Sequence, residues 1–122
     1  MGTWGHGSFQ NDHARDWYAH LRSSPDVAKL TAAFVAPHTE ADETRSLAAA
    51  EIVAAALGKP AADLPQDALP WIRELGIDDT MRVLARKAVE TIRDTSRVRL
   101  LWEEAGELDD WLSVIDDLQR RL

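Results

Sequence analysis

A chain of 122 residues, 45% hydrophobic and 29% charged, is long enough for one domain with an ordinary core and too apolar to remain disordered. It has no cysteine, which excludes a disulfide scaffold, a thiol nucleophile and thiolate-held zinc, and its net charge of −7 argues against general nucleic-acid binding. No stretch approaches the roughly 18 apolar residues of a membrane span, and the start lacks the basic and apolar runs of a secretory signal, so a cytoplasmic protein off the membrane is expected.

The opening MGTWGHGSFQND interleaves Gly2, Gly5 and Gly7 with Trp4, His6 and Phe9. Its Met-Gly start fails as a myristoylation signal because His6 stands where Ser or Thr is needed. Asn11 and Asp12 can cap a helix beginning near His13, whose apolar face is Ala14, Trp17, Tyr18 and Leu21. Ser24 as cap and Pro25 in the first turn predict a second helix, with Val27, Leu30, Ala33 and Phe34 inward and Pro37 closing it. SLAAAEIVAAALG predicts a third helix over about Glu40 to Leu57, stopped by Gly58 and Pro60, and its alanines make it the expected central helix.

KPAADLPQDALPWI reads as loop, with a short helix around Gln66 to Leu75 that Pro70 weakens. Asp78 or Asp79 then caps a fifth helix with Met81, Leu84, Ala85, Ala88 and Ile92 on one face. From Ser96 the apolar spacing runs through Val98, Leu101, Trp102, Leu108, Trp111, Ile115 and Leu118 to Leu122, with Gly106 as a bend or a break. Leu101, Leu108, Ile115 and Leu122 also form a short heptad seam, read as intramolecular packing first and as a homodimer through the C-terminal helix second. Nothing alternates at period two. The expected fold class is therefore all-α: a compact bundle of five to six helices in a single domain, 1–122, with the glycine and aromatic N-terminal segment packed back on the core.

Charge is unevenly placed. Arg82, Arg86, Lys87, Arg93, Arg97 and Arg99 face only Glu90 and Asp94, whereas Glu103 to Asp117 is acidic without a base. Two helix faces that suit one another explain this more simply than a surface for steering a partner.

The opening segment, the DW of the first helix, AAAEIVAAALGKP, LPQDALPW and RLLWEEAGELDDWLSVIDDLQRRL together resemble a family of small, largely bacterial proteins, the domain of unknown function 4259. The resemblance covers nearly the whole chain. It rests on Gly2, Trp4, Gly5, Gly7, Phe9, Asn11, Asp12, Asp16 and Trp17, on Glu51 and Gly58, and on Trp71, Trp102, Glu103 and Trp111. Ser8 departs from it where proline is expected, loosening the opening loop without touching candidate chemistry. The resemblance implies an all-helical fold and no established activity.

His13, Asp16 and His20 are the foremost polar cluster. Spacings of three and four put them on one helix face, and with Asp12, His6 or Glu51 they would offer the mixed nitrogen and oxygen ligands of zinc or a redox metal. The pattern is not HExxH. There is no GxSxG elbow, phosphate loop or dinucleotide fingerprint, Ser96 has no evident histidine partner, and Glu103 and Glu104 diverge by about 100° on a helix. No cofactor other than a divalent metal is implied. Glu51 is the anomaly in an otherwise apolar run. A buried carboxylate needs donors, and the glycine segment supplies them through Gly5 and its neighbours and the Trp4 indole.

The leading functional reading is a small, acidic, non-catalytic interaction or accessory protein with a basic protein partner, in its most specific form an immunity-like neutraliser. The alternatives are a metal-dependent hydrolase or other metal-binding enzyme built on the first helix, and a structural homodimer.

Overall fold

Seven α-helices follow one another in the computed structural model, which describes residues 5–35 and 39–122, and no β-strand occurs among those residues. They are α1 (Asp12–Ser23), α2 (Val27–Phe34), α3 (Glu40–Ala56), α4 (Leu69–Ile72), α5 (Asp79–Asp94), α6 (Arg97–Glu104) and α7 (Leu108–Arg121), with a 3₁₀ turn at Arg73–Leu75. No helix among the described residues is long and apolar enough to cross a membrane.

The count exceeds the expected five to six because both ambiguous stretches resolve into separate helices. Pro70 falls in the first turn of α4, where its missing N–H leaves no bond unmade, so it starts that helix instead of weakening it. Gly106 takes φ +75°, a left-handed conformation that other residues avoid. There its N–H donates to Glu103 O (3.1 Å) and that of Glu107 donates to Trp102 O (2.9 Å), which ends α6 outright.

Most helix starts are fixed by side-chain caps. Asn11 Oδ1 accepts the Ala14 N–H at 2.8 Å, with Asp12 beside it as the first residue of α1. Thr39 and Asp42 form a reciprocal capping box on α3, and Asp78 and Ser96 cap α5 and α6. The second helix starts later than expected. Asp26, and not Ser24, is its cap, because the Asp26 carboxylate accepts the Ala28 N–H at 2.9 Å and leaves Pro25 outside the helix.

Helix α3 is the hub, packing against each of the other six helices. Apart from half-buried Arg45, it is buried from Glu43 to Ala55, which its alanines allow by letting neighbouring backbones approach. Around it the core collects Phe9, Leu21, Leu30, Ile52, Ile72, Val89, Ile92, Trp111, Ile115 and Leu118. Trp17, Trp71 and Trp102 are only half-buried and pack on the outside of this cluster. On α5 the inward stripe is Met81, Ala85, Val89 and Ile92, while Leu84, expected to face the core, is 40% exposed. Of the heptad seam, Ile115 and Leu122 are buried in the chain's own core and Leu101 is exposed.

The basic and acidic stretches meet within the fold. Arg93 Nε donates to Asp116 Oδ1 at 2.6 Å, joining α5 to α7, and Arg82 Nη1 donates to Leu122 O at 3.1 Å.

Candidate functional site

Residues 5–10 form a tight turn laid over the bundle. The Gln10 N–H donates to Gly7 O (3.0 Å), and the Gly7 N–H donates to Gln10 Oε1 (2.9 Å). Gly7 lies so close to Asp63 that a β-carbon there would collide with the carboxylate. That carboxylate also accepts the Phe9 N–H at 3.2 Å, while Arg15 Nε donates to Phe9 O at 3.0 Å. Phe9 is fully buried, with Tyr18 edge-on to it at 5.9 Å between ring centroids. The Tyr18 hydroxyl donates to Asp67 at 2.8 Å, and burial together with that neighbouring carboxylate pushes its pKa up to about 12.

Beneath this segment lies a cavity of about 540 Å³. Gly5, His6, Gly7 and Ser8 form one wall, with Asn11 beside them; Thr44 and Leu47 of α3, Val98, Leu101 and Trp102 of α6, Ala105 just after it, and Trp111 of α7 line the other sides. Its floor is apolar, and Glu40 and Glu107 line it as carboxylates. The His6 ring stacks at 4.5 Å on Trp102, tilted by 44°, and its Nε2 lies 2.9 Å from Glu107 Oε1. Glu107 precedes α7 in the capping position yet makes no side-chain cap bond. With Asp110, three residues on, His6 and Glu107 are the one group among the described residues whose three ligand atoms lie within 4.8 Å of one another.

Behind the cavity wall, Glu51 is 1% exposed. Arg121 grips both of its oxygens, Nη1 to Oε2 and Nη2 to Oε1 at 3.0 Å each, and Ser8 Oγ donates to Oε1 at 3.4 Å. Burial pushes the Glu51 pKa above its ordinary value, and the bonds from Arg121 oppose that rise. One donor thus comes from the N-terminal segment, at Ser8 and not at Gly5; Trp4 lies outside the described residues. The departure from the family pattern at Ser8, expected to leave chemistry untouched, therefore falls on a Glu51 donor.

His13, Asp16 and His20 are all exposed on α1 and do not form a convergent ligand set. His13 and His20 stand two turns apart, about 10 Å along the axis at 1.5 Å per residue, too far for one ion. Glu51 is committed to Arg121, and Asp12 is an exposed first-turn residue. Of the residues considered as additional ligands, only His6 enters a cluster, and it does so with Glu107 and Asp110 at the start of α7 and not with α1.

Sequence reasoning did not find Arg121, Asp63, Glu107 or Glu43. Buried Glu43 reaches from α3 to the start of α6, accepting the Arg97 and Val98 N–H groups, each at 3.1 Å on Oε1. It thereby caps a helix 54 residues away in sequence. Long-range pairings of this kind leave no periodic trace. The usable signal was Glu51, an unmatched carboxylate in the apolar second half of α3.

The chain matches the family described as Domain of unknown function (DUF4259) over residues 2–114, and it belongs to that family. Comparison with curated proteins and with solved structures gives no match.

Proposed function

We propose that this chain is a small non-catalytic accessory protein that works by binding, through the cavity beneath its N-terminal segment, an apolar group carrying a positive charge, presented by a basic protein partner. The observation that carries this reading is the cavity itself: an apolar floor of Leu47, Val98, Trp102 and Trp111 with Glu107 and Glu40 among its lining. Its volume lies within the range of binding pockets, and such pockets join an apolar body to a few placed polar groups. Glu103, Glu104, Asp109 and Asp110 are exposed in the same stretch of chain as the lining residues Trp102, Glu107 and Trp111, and this acidity favours a cation. An immunity-like role, neutralising a basic toxin, is the most specific form of the proposal.

The first-helix enzyme draws no support from the exposed, non-convergent His13, Asp16 and His20. The homodimer draws little from a seam whose Ile115 and Leu122 are buried in the chain's own core.

Trp102 and Trp111 line the cavity and report its occupancy by fluorescence. Octylamine, octanol and octanoate share one apolar tail and differ in charge. The proposal predicts binding in the order amine, alcohol, carboxylate, and loss of all three on filling the cavity with Ala105→Trp. Equal affinity of amine and carboxylate, or binding unaffected by Ala105→Trp, overturns it.

A further inference from the structure

We propose that His6 Nε2 and the carboxylates of Glu107 and Asp110 hold one first-row divalent cation of the zinc type at the edge of this cavity. Four observations converge on that site. The three ligand atoms come from two distant segments and already lie within 4.8 Å of one another. Ligands at the usual ~2.1 Å around a tetrahedral zinc stand about 3.4 Å apart, so the set closes by small side-chain rotations.

The second observation is how the carboxylates are used. Glu107 occupies the capping position of α7 but leaves that helix without a side-chain cap and turns to His6 instead. Asp110, in the first turn of the same helix, makes no hydrogen bond or ion pair among the described residues. Neither acid faces a lysine or arginine, whereas Asp116 and Asp117 on the same helix both do.

Third, the Trp102 ring packs against the His6 imidazole at 4.5 Å and restricts how that ring can turn, holding Nε2 on the side of Glu107. Fourth, the protein supplies only three ligands, and the cavity beside them leaves room for a fourth from water or from a bound molecule. Two carboxylates and a neutral imidazole carry a charge of −2, which a divalent ion cancels. The imidazole selects zinc-like ions over calcium and magnesium, which prefer all-oxygen sites. The site is separate from the His13, Asp16 and His20 face of α1.

The test is calorimetric titration of the tag-free full chain with zinc, alongside H6Q, D110N and the double variant H13Q/H20Q. D110N breaks no hydrogen bond and so leaves the fold intact, which protects the result if H6Q loosens the N-terminal segment. The expected outcome is one zinc per chain in the unmodified protein and in H13Q/H20Q, weakened at least about tenfold in D110N and abolished in H6Q. Absence of zinc binding, binding unchanged in D110N, or loss in H13Q/H20Q overturns the assignment. Both readings draw on Glu107, so octylamine binding is measured on zinc-free protein and zinc binding without amine, which keeps a failure of one distinguishable from a failure of the other.

Discussion

Replacing Arg121 with methionine isolates the buried charge of Glu51. Methionine keeps much of the arginine stem's apolar packing and removes only the guanidinium. Glu51, 1% exposed, would lose both 3.0 Å bonds and keep only the Ser8 hydroxyl at 3.4 Å. Stranding one member of a buried ion pair costs about 3–5 kcal/mol. The size of that loss depends on pH, with a definite sign. Burial already lifts the folded-state pKa of Glu51 above its unfolded value, and removing the opposing arginine lifts it further. A carboxyl with a raised folded pKa is most favourable to folding below its unfolded value and progressively less so as pH rises through the folded one. Arg121→Met should therefore cost most at neutral pH and distinctly less at an acidic pH, where Glu51 takes up a proton. Urea unfolding followed by tryptophan emission at the two pH values measures this. Glu51→Gln should cost less, about 1–3 kcal/mol, because Arg121 retains Asp117 while the new amide N–H faces a donor. The double variant should be more stable than Arg121→Met alone. A loss below about 1 kcal/mol for Arg121→Met, or one that is the same at both pH values, would refute this reasoning.

Three further outcomes are expected. Glu43→Gln should lower stability by about 1–3 kcal/mol, with faster amide exchange at Arg97 and Val98; unchanged exchange there would remove Glu43 as a second cap on α6 beside Ser96. Phe9→Ala should cost about 3–5 kcal/mol in urea unfolding, since the ring is fully buried, and a cost near zero would mean that residues 5–10 are not docked. The chain has one tyrosine, so tyrosinate absorbance reads Tyr18 alone; it should titrate near about 12, and Asp67→Asn should bring the midpoint down.

The helical class was legible because periodic apolar faces, capping residues and the Gly58 and Gly106 stops are local signals. Asn11, Asp78 and Ser96 announce helix starts within three or four residues of what they bond. The site was legible only in part. Glu51 stood out as a carboxylate in an apolar helix, and its need for donors followed from burial energetics, but its main partner is 70 residues away at Arg121. His6 was visible as a spare ligand, whereas its true neighbour Glu107 lies 101 residues on and depends on how α6 turns into α7 at Gly106. The His13, Asp16 and His20 spacing misled for a simple reason. Sharing a helix face does not bring side chains two turns apart to one point.

The cavity and its overlying N-terminal segment are the centre of this account, and a nuclear magnetic resonance titration with octylamine tests them most directly. Indole N–H signals of Trp102 and Trp111 should shift saturably together with the His6 ring, while those of Trp17 and Trp71 stay in place. Equal small shifts at Trp17, Trp71, Trp102 and Trp111, or none at Trp102 and His6, would contradict it.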